Sequence, residues 1–529
     1  MSFHPLRRLC HLVFSLLTGF VVYLWHQTPR LSTKIGRALA IGEYPLHFEE
    51  ESGRKRDHAK VTLDTLPDDV LVEIFDFYVN DRNARTNEWY TLVRVCQRWR
   101  RVVLASPHRL NLRLLYTGKR PLSDMLDTWP LLPVVVRPRL GESLVPGPNW
   151  NNIAALIGSE HRDRICEIDL YCIPDSRPWK TFTAVMQKPF PKLTRLRISV
   201  DIRVFALPTY PFLSGCSAPC LRELSLGNCP FPAMDRLLWS ANDLVVLDLW
   251  RIPLSGYISP EALVTALSVM TRLETLRLEF QSPRSRPNPA SRSAPPLTRS
   301  VLPALANCIF RGAHEYLEDL VARIETPLLN HLDIDFSVDI HFDVPQLRRL
   351  VSHAERFKTF DRAVVSISDD AIQVTILPQT EAVNRRRGLV LGIMCGQSDR
   401  QLSSLAQICR SSLPLVSTLE QLDIQEGTLL SQAHWKGVIQ SSEWLELLGP
   451  FIAVKDLYLS DGVTRHVCRA LQELARERAT EMLPALRNLF LECLSQAWEP
   501  LVNAIGPFVS ARRHSGHPVA IHNWKRWKR

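Results

Sequence analysis

From about residue 160 onward the chain repeats one spacing of apolar positions. Ile165, Ile168 and Leu170 stand at relative positions 1, 4 and 6, and the triplet returns at Leu193/Leu196/Ile198, Leu221/Leu224/Leu226, Leu244/Leu247/Leu249 and Leu273/Leu276/Leu278. Looser copies follow at Leu305/Cys308/Phe310, Leu329/Leu332/Ile334, Leu419/Leu422/Ile424, Val454/Leu457/Leu459 and Leu486/Leu489/Leu491. Positions 4 and 6 are two apart, so they share one face of a short strand and the residues between them face the other way. One such strand cannot bury its own apolar side. Neighbouring copies stacked in parallel make a continuous core, and a period of 20–50 residues is the mark of a solenoid.

The pattern therefore predicts an α/β chain: a curved leucine-rich-repeat-like solenoid with a parallel sheet, over residues 161–510. Return segments are helical where the period changes to 3.6, as over 260–271, with Pro260 suited to a first turn. Between 347 and 418 the triplet fades, although Ile372/Val374/Ile376 and Leu389/Leu391/Ile393 still alternate as strands do. The stretch 282–300 is too rich in Pro, Ser and Arg for either element and reads as an exposed loop.

A different period occupies residues 61–115. Val70, Leu71, Ile74 and Phe75 fall on one helical face, after Leu66, Pro67 and two acids that complement a helix N-terminus. A polar loop from Asn80 to Glu88 precedes a second predicted helix beginning near Trp89, with Leu92, Val95, Cys96 and Trp99 at i, i+3, i+4 and i+7. So short a pair buries little by itself, which leaves apolar surface for a partner.

These residues resemble the F-box: LPDDVLVEIF followed by LVRVCQRWRRV, with Asp69 where Glu is commoner and a longer loop between the helices. With the degenerate repeats that follow, the chain resembles fungal F-box proteins with C-terminal irregular leucine-rich repeats. The resemblance implies that Leu66, Pro67, Val70, Leu71, Ile74, Phe75, Leu92, Val95, Cys96 and Trp99 dock, or support docking, on the Skp-type adaptor of a cullin-RING ubiquitin ligase. The chain would then be the substrate-recognition subunit of an SCF-type ligase, joined through the adaptor to a cullin scaffold.

The repeats would hold an unknown protein substrate, destined for proteasomal degradation. The strand positions that alternate away from the apolar triplets mix charge and aromatic character. Among them Tyr171, Arg195, Arg197, Trp250, Arg277, Tyr458 and Phe490 are the candidate target contacts.

Composition narrows the alternatives. Of 529 residues 46% are hydrophobic and 22% charged, an ordinary folded balance. The net charge of +10 is dispersed in small groups rather than gathered on one element, which argues against nucleic acid as partner. The 12 cysteines include no CxxC pair; Cys216, Cys220 and Cys229 come nearest to metal spacing but lack partner ligands, so they read as thiols of a reducing compartment. No GxSxG, P-loop, HExxH or GxGxxG occurs, and neither a catalytic residue nor a cofactor is expected.

Residues 1–60 stand apart. The apolar run 9–25 reaches the lower limit of a spanning helix and has basic flanks on both sides. It reads either as an uncleaved membrane anchor or as a buried or interfacial helix. Residues 43–62 form a polar linker, 116–160 a connecting segment and 511–529 a basic tail. The expected location is cytoplasmic or nuclear, with the F-box on the cytosolic side if the anchor is real. The reading from a different class is a membrane-tethered repeat scaffold for protein–protein interaction without ligase activity.

Overall fold

In the computed structural model the described residues are 66–79, 89–119, 125–126, 129, 131–138, 149–173, 176–200, 213, 215–229, 235–282, 298–337, 344–368, 371–378, 388–394, 398–411, 413–426, 440–474, 479–492 and 498–524. Asp68–Arg529 forms one compact unit. The apolar run 9–25 lies outside the described residues, as do 80–88 and most of the 282–300 loop. No described helix is long and apolar enough to cross a membrane.

The strands are β1 (Leu114–Tyr116), β2 (Val134–Val136), β3 (Ile165–Ile173), β4 (Arg195–Val200), β5 (Glu223–Gly227), β6 (Val246–Ile252), β7 (Thr275–Phe280), β8 (Ser300–Val301) and β9 (Asn307–Gly312). There follow β10 (Ile324–Glu325), β11 (His331–Ser337), β12 (Arg362–Ile367), β13 (Ala371–Leu377), β14 (Gly388–Met394), β15 (Gln421–Glu426), β16 (Asp456–Leu459), β17 (Asn488–Glu492) and β18 (Ala520–Trp524). One 16-stranded sheet runs β1-β2-β3-β4-β5-β6-β7-β9-β11-β14-β13-β12-β15-β16-β17-β18, and β8 pairs with β10 separately. This is the predicted solenoid, with strand order following chain order over most of its length.

The apolar triplets account for the register. Leu196, Leu224, Leu247, Leu276, Cys308 and Leu332 are successive partners across adjacent strands, and all are buried. Ile198, Leu226, Leu249, Leu278, Phe310 and Ile334 form a second buried row two residues on. Return helices carry their own apolar side chains into the core. The helix Pro260–Leu267 is typical: Ser259 Oγ accepts from the Ala262 amide at 3.2 Å, Pro260 occupies the first turn, and Leu263, Val264 and Leu267 are buried.

Three segments hold more structure than their spacing shows. The segment 116–160 is more than a connector: β2 lies within it and extends the sheet to β1, so the repeats begin at Leu114. The segment 511–529 is more than a basic tail, because β18 pairs in parallel with β17. The weak stretch 347–418 hides a reversal. From β11 the chain skips two places to β12, doubles back through antiparallel β13, and only then lays β14 beside β11. β12 in turn takes β15 as its parallel partner.

The last repeat is held by one buried side chain. Arg512, on the helix Trp498–His514, is fully buried. Its Nη1 donates to the carbonyls of Ala479, Met482 and Leu483 at 3.3, 3.5 and 3.3 Å, and its Nη2 to those of Pro484 and Leu486 at 3.2 and 3.1 Å. These carbonyls belong to the turn that leads into β17.

Candidate functional site

The N-terminal module consists of α1 (Asp68–Val79), α2 (Trp89–Leu92) and α3 (Gln97–Ala105). The second predicted helix is in fact two. Cys96 is extended at φ −154°, ψ 170°, and its Sγ accepts from the Trp99 amide at 3.4 Å, so the thiol caps a new helix instead of continuing the old one. The i, i+7 spacing of Leu92 and Trp99 thus spans a turn.

Between them these helices bury Leu71, Phe75, Leu92 and Trp99, with the Phe75 and Trp99 rings 4.8 Å apart. Arg98 pairs with Asp68 at 2.7 Å, and Arg109 pairs with Glu73. Trp89 is fully buried, stacks on Tyr90 at 4.0 Å, and donates its indole N–H to the Arg113 carbonyl at 2.9 Å. Burial raises the Tyr90 hydroxyl to about 12.

Of the residues expected at the adaptor surface, Leu71, Phe75, Leu92 and Trp99 are therefore core. Leu66, Val70 and Ile74 are half-buried, while Pro67, Val95 and Cys96 are exposed. Val70, Ile74 and Phe77 recur at helical spacing along α1, and Phe77 is 67% exposed. Sequence reasoning passed over Phe77, although its i+3 spacing from Ile74 was available.

The second candidate surface is the sheet face turned away from the helices. Over β3–β9 its charged side chains interlock in register. Glu167, Arg195 and Glu223 are successive partners, as are Asp169 and Arg197. Arg195 reaches Glu223 at 2.6 Å and Glu167 at 3.6 Å, while Arg197 Nε donates to the other Glu223 oxygen at 2.7 Å. Arg137 holds Asp169 at 3.0 Å, and Arg113 pairs with Glu167. Farther along, Arg277 holds Glu279 at 2.8 Å and approaches Asp248 at 3.7 Å, and Arg311 holds Asp335 at 2.9 Å.

Cross-strand opposite-charge pairs contribute roughly 0.2–1 kcal/mol each. Neighbouring pairs share residues, so the guanidiniums of Arg137, Arg195, Arg277 and Arg311 are each oriented by two acids. Burial raises the carboxyls of Asp169, Asp248 and Asp335, against the pull of the nearby arginines. Arg195, Arg197 and Arg277 are thus already engaged within the sheet.

The aromatic candidates are arranged differently. Trp250 is paired with Gly227, and its indole lies so close over that residue that a methyl group there would overlap the ring. The Arg251 guanidinium stands 6.0 Å from the Trp250 ring, and Tyr171 is exposed on β3. At the other end Tyr458, Phe490 and His522 occupy one row across β16, β17 and β18, stacked at 4.2 and 4.8 Å. Trp524 meets Tyr458 at a right angle, 5.3 Å away. His522 and Trp524 were missed because β18 lacks a buried triplet; Ala520, His522 and Asn523 are exposed.

Cys216 and Cys229 are buried and Cys220 is exposed. Burial lifts the Cys216 thiol to about 12 and pushes the Cys229 thiol upward as well. Among the described residues no group of three or more His, Cys, Asp or Glu side chains could hold a metal ion.

No family model and no curated protein matches the chain. Among solved structures it is similar to the leucine-rich repeat-containing protein LegL7 from Legionella pneumophila, at 12% identity over 64% of this chain and 96% of that one, with a TM-score of 0.26. So loose a superposition carries no weight, and the fold rests on the strand order and register described above.

Proposed function

We propose that this chain is a substrate-recognition subunit of an SCF-type cullin-RING ubiquitin ligase, docking through α1–α3 on a Skp-type adaptor and holding a target protein on the open face of its sheet. The observation that carries the reading is the two-sidedness of the helical module. It packs a core of Leu71, Phe75 and Trp99, yet keeps Phe77 and Val95 at the surface and Val70 and Ile74 half-buried. An amphipathic helical surface of this kind fits an apolar groove, with a few anchors dominating the affinity. The chain itself would be non-catalytic: partner subunits transfer ubiquitin, and the repeats supply proximity. It would work in the cytoplasm or nucleus, where the adaptor and cullin are available.

Co-purification with the adaptor tests this. The Ile74→Glu/Phe77→Glu variant should lose the adaptor while keeping the wild-type unfolding midpoint. Equal recovery of adaptor by wild type and variant overturns the docking surface. A wild-type chain that recovers no adaptor instead favours a repeat scaffold without ligase activity.

A further inference from the structure

We infer that the C-terminal half of the open sheet face, from β11 to β18, is a receptor for arginine side chains of a partner protein. This rests on the reading of the open face as the target surface and names the chemistry it selects.

The two halves of the face differ in their charge balance. Over β3–β9 the arginines stand between acids at matching register, so that half neutralises itself. Over β11–β18 the open-face positions carry Asp333, Asp335, Asp423, Asp456 and Glu492, against a single described arginine, Arg362. Arg362 is bound to Asp423 at 3.2 Å, and Asp335 is held by Arg311 from β9. Asp456 accepts from Asn488 Nδ2 at 2.8 Å and makes no described ion pair. Asp333 likewise has no described ion pair, and its buried Oδ1 has no described hydrogen-bond partner. Among the described residues this half-face is acidic, although the chain carries a net charge of +10.

The aromatic cluster stands beside three of these acids, Asp423, Asp456 and Glu492. Asp423 is the register partner of Tyr458, Glu492 is the register partner of Trp524, and Asp456 precedes Tyr458 by two residues on the same strand. Ring surface beside carboxylates suits a guanidinium better than an ammonium. The guanidinium is planar, less strongly hydrated, and can lie against a ring while donating to carboxylate oxygens at its edge. On β14, between β11 and β13, the Asp335 carboxylate lies across Gly392 and the Leu377 side chain across Gly388, so a carboxylate forms part of the floor there. Complementary charge would steer a basic segment in.

The test is fluorescence anisotropy on the full chain with three labelled twelve-residue peptides of alternating glycine and arginine, lysine or glutamate, at physiological salt. The arginine peptide should bind at least tenfold more tightly than the lysine peptide, and the glutamate peptide should not bind. Asp333→Asn/Asp456→Asn, isosteric and without described ion pairs to break, should weaken the arginine peptide about tenfold; Glu223→Gln on the self-neutralised half should leave it unchanged. Preference for the glutamate peptide, as net charge alone dictates, or equal binding by the double variant, overturns the inference. Proximity labelling in cells with the same double variant separates the two readings. A changed set of labelled partners without arginine-peptide binding refutes only the chemistry. An unchanged set refutes the open face as the target surface.

Discussion

Replacing Arg512 tests how the last repeat is held. The side chain donates to five backbone carbonyls between Ala479 and Leu486 and is fully buried, so water cannot take its place without opening the turn. An acceptor stranded in a buried site costs about 1–3 kcal/mol, and loss of one side of a buried charged network about 3–5 kcal/mol. Relief of the burial cost of the guanidinium, visible in its lowered pKa, works in the opposite direction. Some carbonyls will also find other partners as the turn relaxes. A net loss of about 3–4 kcal/mol is expected for Arg512→Met, which keeps the aliphatic volume and removes the donors.

The loss should be local, since a solenoid's stability is a sum of neighbouring-repeat terms. Amide hydrogen exchange in Asn488–Glu492 and Ala520–Trp524 should quicken by roughly 100- to 700-fold, at about 1.4 kcal/mol per factor of ten, while β4–β7 keep their protection. Arg512→Met with wild-type protection in β17 and β18, and an unfolding free energy in urea unchanged within about 0.5 kcal/mol, would refute the argument, because packing volume alone would then suffice.

Three further outcomes follow from the open face and the core. Burial holds the Asp333 carboxyl above its ordinary value, offset in part by Arg311, His331 and Arg277. A raised folded-state pKa contributes stability below the unfolded value near 3.8 that is lost as pH climbs through the folded value. Asp333→Asn should therefore match or exceed wild-type stability at pH 7, with the difference closing toward pH 4 in urea titrations; a less stable variant at pH 7 contradicts the sign. Gly227→Ala should push the Trp250 indole off the sheet, seen as a red-shifted tryptophan emission that Trp250→Phe abolishes. Iodoacetamide followed by peptide mapping should label Cys96 and Cys220 and spare Cys216, Cys308 and Cys409, whose thiols burial lifts to about 12.

Much of the architecture was legible in the sequence because the leucine triplets are periodic and face one core. The direction of β13 was not. Ile372, Val374 and Ile376 alternate identically whether the strand runs with its neighbours or against them, since a period of two carries no polarity. The break at Cys96 was hidden for a related reason: Leu92 and Trp99 keep helical spacing across a turn because both reach the same small core. Charged positions on the open face were legible one by one. Their pairing was not, because partners such as Arg195 and Glu223 stand a full repeat apart in the chain. The last strand went unread because β18 is an edge strand with an exposed surface.

The reversal at β12–β14 bears on how the chain comes apart. An array of like repeats can fray from either end, each unit parting only from the next. Here β14 is laid beside β11 only after β12 and β13 have been made, and β12 waits for β15 to cover its other edge. The two arms of the array are spliced in the manner of a lap joint, each overlapping the other in chain order. No cut between β11 and β15 leaves two self-sufficient arms, so the central strands should melt as one cooperative block with a higher barrier than either flank, and folding should stall there until residues well past 420 have been made.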